Sequence, residues 1–306
     1  MLTSLCTRYY EFILCQGVLG GLAMGLTYQP AIAVVGHYFR RKRPLAMGIA
    51  ASGSAIGGIL FPIMLDRMLN HTTLGFGWTQ RIVGFIVLGL AIFALLTIRP
   101  GVPPRSGSYL LPHAFKKMEY SLQILGLFLI LWGMFTPIFY LPTYAEEHGM
   151  SDNLAWYLIS ILNAASFFGR LLGGHLAVTM GPFPLLSGCG AVYGIVALCW
   201  MRATSHAAII TLAVLFGFFS GGIIGLMLAT IAHVAPRPNE IGTYMGMCSG
   251  IISISALTGP PITGALVSHY HSFTQAMIWS GINCLAGAAA ILGAWVALLR
   301  AEPVIP

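Results

Sequence analysis

Nine apolar runs, each about 20 residues or longer, alternate with short polar segments along the chain. They fall at about 11–36, 44–66, 78–98, 122–144, 154–178, 184–203, 207–235, 241–268 and 274–299. A helix crosses the hydrocarbon core of a bilayer with about 20 apolar residues. The pattern therefore predicts an all-α membrane protein with about nine transmembrane helices. The first run is interrupted by Tyr28, Gln29 and Pro30, which fits a kinked helix lining a cavity. The eighth contains Gly259, Pro260 and Pro261, which should bend it. The longest polar segment, 99–121, carries Pro100, Pro103, Pro104, Arg105, Lys116 and Lys117 and reads as the boundary between two halves.

Part of the pattern occurs twice. Gly17, Gly21, Gly25, Leu26 and Val34 return 200 residues later as Gly217, Gly221, Gly225, Leu226 and Val234. In the following helix Met47, Gly48, Ile56 and Pro62 return 198 residues later as Met245, Gly246, Ile254 and Pro260. The four-residue glycine spacing puts small residues on one helix face, where two backbones can approach closely in lipid. At this period residue 1 corresponds to about residue 201, so the three runs in 122–200 have no counterpart in the first half. Parallel repeats related by an axis along the membrane normal mark the halves of major facilitator transporters. The expected organisation is a partial N-terminal half-bundle of three spans (1–98), a cytoplasmic connector (99–121) and a C-terminal half-bundle of six spans (122–306). In that reading the first three spans of a twelve-span bundle are lacking.

Composition sharpens the picture. Only 8% of residues are charged and 57% are hydrophobic, against about 25% charged in soluble domains. The net charge of +7 reflects basic loops rather than a nucleic-acid partner. With the 37–43 hairpin placed inside, ten Lys and Arg residues lie on that side (Arg40, Arg41, Lys42, Arg43, Arg99, Arg105, Lys116, Lys117, Arg237, Arg300). Four lie on the other (Arg8, Arg67, Arg81, Arg202), beside acidic Glu146, Glu147 and Asp152. The bias puts the C-terminus in the cytoplasm and, with nine spans, the N-terminus outside. The six cysteines sit in or beside apolar runs without CxxC spacing and read as small core residues. The start lacks the pattern of a secretory signal peptide. No hydrolase elbow, P-loop, HExxH or intramembrane carboxylate pair is present, so neither an enzyme nor a resident metal or cofactor is expected.

Arg170 is the leading candidate for function, because a charge inside an apolar helix costs about 2.5–3.5 kcal/mol on insertion scales. It either binds an anion or is held in a structural set of hydrogen bonds. Asn163 lies seven residues earlier, about 700° of rotation and so nearly the same face, and either lines the same cavity or bonds to a neighbouring helix. Tyr28 and Gln29 offer polar groups at mid-membrane depth for substrate. Arg40, Arg41, Lys42 and Arg43 anchor topology, with anionic lipid and gating as further roles. His233 reads as an interfacial histidine, Asp66 with Arg67 as a solvated pair, and Tyr140 and Tyr144 as interface-belt aromatics.

Three stretches resemble the fungal monocarboxylate-transporter-like branch of the major facilitator superfamily. They are Gly36 to Gly58 (GHYFRRKRPLAMG then IAASGSAIGG), Phe139 to Ala145 (FYLPTYA) and Ile161 to Gly174 (ILNAASFFGRLLGG). The resemblance implies a secondary transporter that moves a small organic anion, a monocarboxylate or carboxylate-bearing metabolite, by alternating access, with a proton as co-substrate and the plasma membrane as location. Arg170 would attract the anion. Met47 stands where the family commonly has asparagine. Ser166 stands where animal members have the aspartate that pairs with the arginine, which alters proton coupling. Val178 stands near an acidic position of the superfamily's inter-helix motif, which weakens that gating contact. The competing expectation is a non-transporting paralogue that acts as a membrane partner or has no activity. In a native short form, a second chain would have to complete the cavity.

Overall fold

The computed structural model describes residues 1–39, 42–99, 101 and 110–301. Among the described residues nine helices are long and apolar enough to cross a membrane. They are α1 (Tyr9–Tyr38), α2 (Arg43–Asn70), α3 (Gly75–Thr97), α4 (Met118–Glu147), α5 (Asp152–Met180), α6 (Pro182–Cys199), α7 (His206–Val234), α8 (Ile241–Tyr270) and α9 (Thr274–Ala301). Each expected run is therefore a helix, with its bounds shifted by a few residues. Lipid offers no hydrogen bonds, so the backbone of every crossing segment must satisfy itself, and helices do so within one segment.

Local chemistry sets the joints. Gly181 stands at φ 84° between α5 and α6, a left-handed stop that glycine adopts without strain, and Pro182 opens the next helix. Ser205 accepts a hydrogen bond from the Ala208 amide at 3.3 Å and caps α7. His271 takes the left-handed turn (φ 48°) between α8 and α9.

α1 continues as α-helix through Tyr28, Gln29 and Pro30 and carries a π-helical segment at Ile13–Leu19. α8 also runs unbroken through Pro260 and Pro261, where the Tyr140 hydroxyl on α4 donates to the Pro260 carbonyl at 3.0 Å.

α4 to α9 pack as one bundle through close backbone approaches and cross-helix hydrogen bonds. Tyr120 donates to the Tyr244 carbonyl and Tyr193 to the Met134 carbonyl, both at 2.8 Å. Ser280 bonds the Gly133 carbonyl at 2.8 Å, and Thr136 meets Thr263 at 2.9 Å. Such bonds contribute about 0.6 kcal/mol each in bundles of this kind. Tyr144 belongs to this core rather than to an interface belt. It is buried, donates to the Ala203 carbonyl at 3.0 Å and is ringed by His148, Trp200 and Phe273. Its phenol satisfies its one polar group internally, so it needs no contact with water. The end of the connector is also built into the fold. Pro112–Lys116 form a short 3-10 turn with Leu111 and Ala114 buried. Arg105, Pro103 and Pro104 lie outside the described residues.

Candidate functional site

The site grows from one seam, where the small-residue face of α2 lies along α5. Pro44 and Leu45 pass so close to Gly174 that a Cβ there would sit 2.9 Å from the Pro44 carbonyl. Farther along, a Cβ at Gly48 would sit 2.7 Å from the Arg170 carbonyl, and one at Gly58 would run into the Asn163 amide. Ala51, Ser52 and Ala55 fill the seam between them and are buried. This explains Ala51, Ala55 and Gly58, where larger side chains would hold the two helices apart; Gly53 has nothing within 4 Å and Gly57 only Phe61 of its own helix.

Arg170 is 4% exposed. Its alkyl stem lies over Gly225 of α7, whose added Cβ would meet Arg170 Cα, Cβ and Cγ at 3.5–3.7 Å. Its Nη1 donates to the Ala51 carbonyl and to the Ser54 hydroxyl of α2, each at 2.5 Å. Its Nε is buried and bonds to nothing. Among the described residues no carboxylate is paired with it. Three helices thus position one guanidinium, with α5 supplying it, α7 making room for its stem and α2 accepting its protons.

Tyr28 of α1 lies within electrostatic reach of that guanidinium. It lines a cavity of about 620 Å³ among α1, α2 and the end of α3, together with Tyr38, Ala51, Gly53, Ser54 and Arg99. Ala51 and Ser54 therefore wall the cavity on one side and hold Arg170 on the other. Of the other two candidates, Gln29 is turned away and Asn163 lies farther along the same α2–α5 seam, against Gly58. Gln29, about 100° around the helix, turns to α8, where its Nε2 donates to the Ser249 hydroxyl at 2.5 Å and its Oε1 is buried without a partner. Asn163 bonds back to the Ile159 carbonyl of its own helix at 2.9 Å and faces α2.

The basic hairpin divides. Arg40 and Arg41 lie outside the described residues, and Lys42 is exposed just before α2. Arg43 reaches across to α7, where its Nη1 donates to the Ala232 carbonyl at 3.0 Å, while its Nε donates to the Phe39 carbonyl at 3.2 Å. A cation at the last carbonyls of a helix is favoured by the helix dipole. Sequence reading passed over Ser54 and Ser249; of the two, Ser54 carried a signal, its place in the small-residue stretch. Among the described residues no group of three His, Cys, Asp or Glu side chains gathers to hold a metal.

Comparison with known proteins fits this architecture. The sequence profile described as Major Facilitator Superfamily matches residues 1–205 and 184–306. The chain is 49% identical over 294 residues to the aspyridones efflux protein apdF of Emericella nidulans, covering 96% of this chain and 60% of that protein. It is 40% identical over 303 residues to the MFS-type transporter pynF of Aspergillus niger, covering 98% of this chain and 68% of that one. It is 40% identical over 300 residues to the fujikurins efflux protein of Gibberella fujikuroi, covering 96% and 64%. The chain thus spans roughly three fifths to two thirds of the length of these curated relatives. Its backbone is similar to that of the transporter FucP in the outward conformation, with TM-score 0.67 at 16% identity, covering 90% of this chain and 72% of that one. The helical bundle, the profile match over both parts of the chain and these relatives together show that the chain belongs to the major facilitator superfamily.

Proposed function

We propose that the protein works as a secondary transporter of a small organic anion, exporting a carboxylate-bearing metabolite by alternating access. Residues 1–98 act as part of one half-bundle, 99–121 as the cytoplasmic connector and 122–306 as the other half. The membrane is the plasma membrane, with the C-terminus in the cytoplasm. The export direction draws on relatives named as efflux proteins. The anionic substrate draws on the resemblance to monocarboxylate carriers and on Arg170.

The observation that carries the reading is the guanidinium held at the α2–α5 seam without a carboxylate, behind the wall of a cavity lined by Tyr28. In the conformation seen, Ala51 and Ser54 occupy Nη1. When α2 moves off α5 those bonds break, and a substrate carboxylate can take their place with a bidentate pair. Reclosure of the seam then competes the anion away. Tyr28, which lines the cavity with Ala51 and Ser54, is the hydroxyl offered to the same carboxylate in this reading. A proton is a co-substrate in this scheme, and Ser166, one turn before Arg170, supplies no carboxylate to carry it.

The test is counterflow of labelled monocarboxylates in proteoliposomes holding the protein as isolated from its own membranes. Arg170→Ala should reduce exchange at least about tenfold, because removing one member of a buried charged hydrogen-bond set costs about 2–5 kcal/mol. Membrane insertion should be unchanged. Wild-type exchange rates from a correctly inserted Arg170→Ala protein would rule the reading out.

A further inference from the structure

Two thiols that stand nine residues apart in the sequence meet at the start of α1. The chain folds back before that helix begins. Leu2–Leu5 form a single 3-10 turn, and Glu11 Oε2 then accepts the Thr7 and Arg8 amides at 2.7 and 3.2 Å. That reversal brings the Cys6 thiol beside the Cys15 thiol, within reach of a side-chain hydrogen bond. Cys6 Sγ also donates to the Leu2 carbonyl at 3.5 Å, and both cysteines are half-buried. Cys15 belongs to the π-helical segment Ile13–Leu19, and such segments are rare and often mark functional sites. The other four cysteines stand on α6, α8 and α9. A spacing of nine matches no CxxC motif, so the pair shows only once the turn is folded.

The turn that carries Cys6 is itself fastened to α3. Arg81 Nε donates to the Ser4 hydroxyl at 3.2 Å. Gly77 lies under the Ser4 carbonyl, and Gly84 lies against the Met1 side chain. Phe12 of α1 meets Phe76 of α3 edge to face, with ring centroids 5.8 Å apart. A bond between Cys6 and Cys15 therefore ties α1 to a turn that α3 already holds. With the 37–43 hairpin in the cytoplasm, this end of α1 lies outside, in the oxidising surroundings where disulfides form and persist.

We infer that Cys6 and Cys15 form a reversible disulfide that staples the outer end of α1 to α3. The inference rests on the topology proposed above. The oxidant is a donor disulfide of the glutathione class. One cysteine thiolate attacks a sulfur of the donor, which gives a mixed disulfide and releases one donor thiol. The second cysteine attacks the protein sulfur of that mixed disulfide and releases the other donor thiol. The two cysteines lose two electrons and two protons, and the donor disulfide gains both as two thiols.

Differential alkylation of the protein in intact cells tests the assignment. Free thiols are blocked with light N-ethylmaleimide in denaturant, disulfides are then reduced, and the new thiols take a heavy maleimide. Cys6 and Cys15 should carry the heavy label and the other four cysteines the light one. Trypsin cuts between the pair at Arg8, so the unreduced digest should hold the two peptides joined and two hydrogens lighter than their sum. Cys6→Ser should leave Cys15 with the light label. Reduction should lower the melting temperature of the wild type in detergent and leave that of Cys6→Ser unchanged. Light label on both cysteines, Cys6 joined to a different thiol, or wild-type melting that ignores reduction would each overturn the inference. Treating the cells first with a reductant that does not cross membranes separates the pairing from the topology. Light label on both cysteines after that treatment upholds the pairing and places it outside. Heavy label that survives until the cells are permeabilised upholds the pairing and sinks the topology.

Discussion

Arg170 is the single buried charged side chain among the described residues, and its surroundings explain how a membrane helix tolerates it. A glycine on α7 makes room for the stem, and a carbonyl and a hydroxyl on α2 receive Nη1. Ser54 is then more than a small filler. Ser54→Ala leaves a guanidinium hydrogen without its acceptor and should cost about 1–3 kcal/mol. The same change on an Arg170→Met background should be close to neutral, because the donor is gone. Thermal melting of the four proteins in detergent measures the coupling; equal costs on both backgrounds would show that the bond contributes nothing. Asn163, on nearly the same face of α5, donates its Nδ2 to the Ile159 carbonyl of its own helix and lies against Gly58 of the same seam.

The element that organises the bundle is α5, gripped by α7 on one side and α2 on the other. Both contacts depend on glycines facing backbone, which cannot rotate away as a side chain can. Overpacking such a site costs about 1–3 kcal/mol and occasionally more. Gly221→Leu should therefore collapse the yield of monodisperse protein in size-exclusion chromatography. Gly188→Leu, at a position on α6 with nothing within 4 Å, should leave the yield intact. An unchanged Gly221→Leu profile would mean that the α5–α7 packing is looser than the structure shows. The glycine spacing is identical in α1 and α7, yet only the α7 ridge has a partner here. Spacing identifies a ridge that can pack closely, and the neighbouring helix decides whether it does.

At the scale of the whole molecule, the proposed transport by alternating access requires the α2–α5 seam to part. Leu45 and Gly174 face each other across its end, with a Cβ at Gly174 placed 3.1 Å from the Leu45 α-carbon. On a background without the native cysteines, Leu45→Cys with Gly174→Cys should form a disulfide on oxidation. Counterflow should stop and return when the bond is reduced. A matched pair inside the bundle of α4 to α9, Thr136→Cys with Thr263→Cys, whose hydroxyls already meet at 2.9 Å, should leave exchange running, since α4 and α8 belong to the same bundle. Continued exchange through the oxidised Leu45–Gly174 pair would show that the seam does not open in the cycle.

The helices were legible in the sequence because lipid leaves a crossing segment one choice. About 20 apolar residues without a water-borne alternative must form a helix, whatever their neighbours, and all nine expected runs did. The repeat and the intramembrane arginine were legible for the same reason, since each stands out against an apolar background. What Arg170 bonds to, which way Gln29 turns and whether a glycine ridge is covered were not. Those depend on which helix lies alongside, and apolar faces in lipid carry little sequence information about their partners. Tyr144 shows the limit most simply. A tyrosine near a helix end fits an interface belt or a core equally well by pattern, and only the Ala203 carbonyl at 3.0 Å from its hydroxyl, brought there by the packing of the bundle, placed it inside.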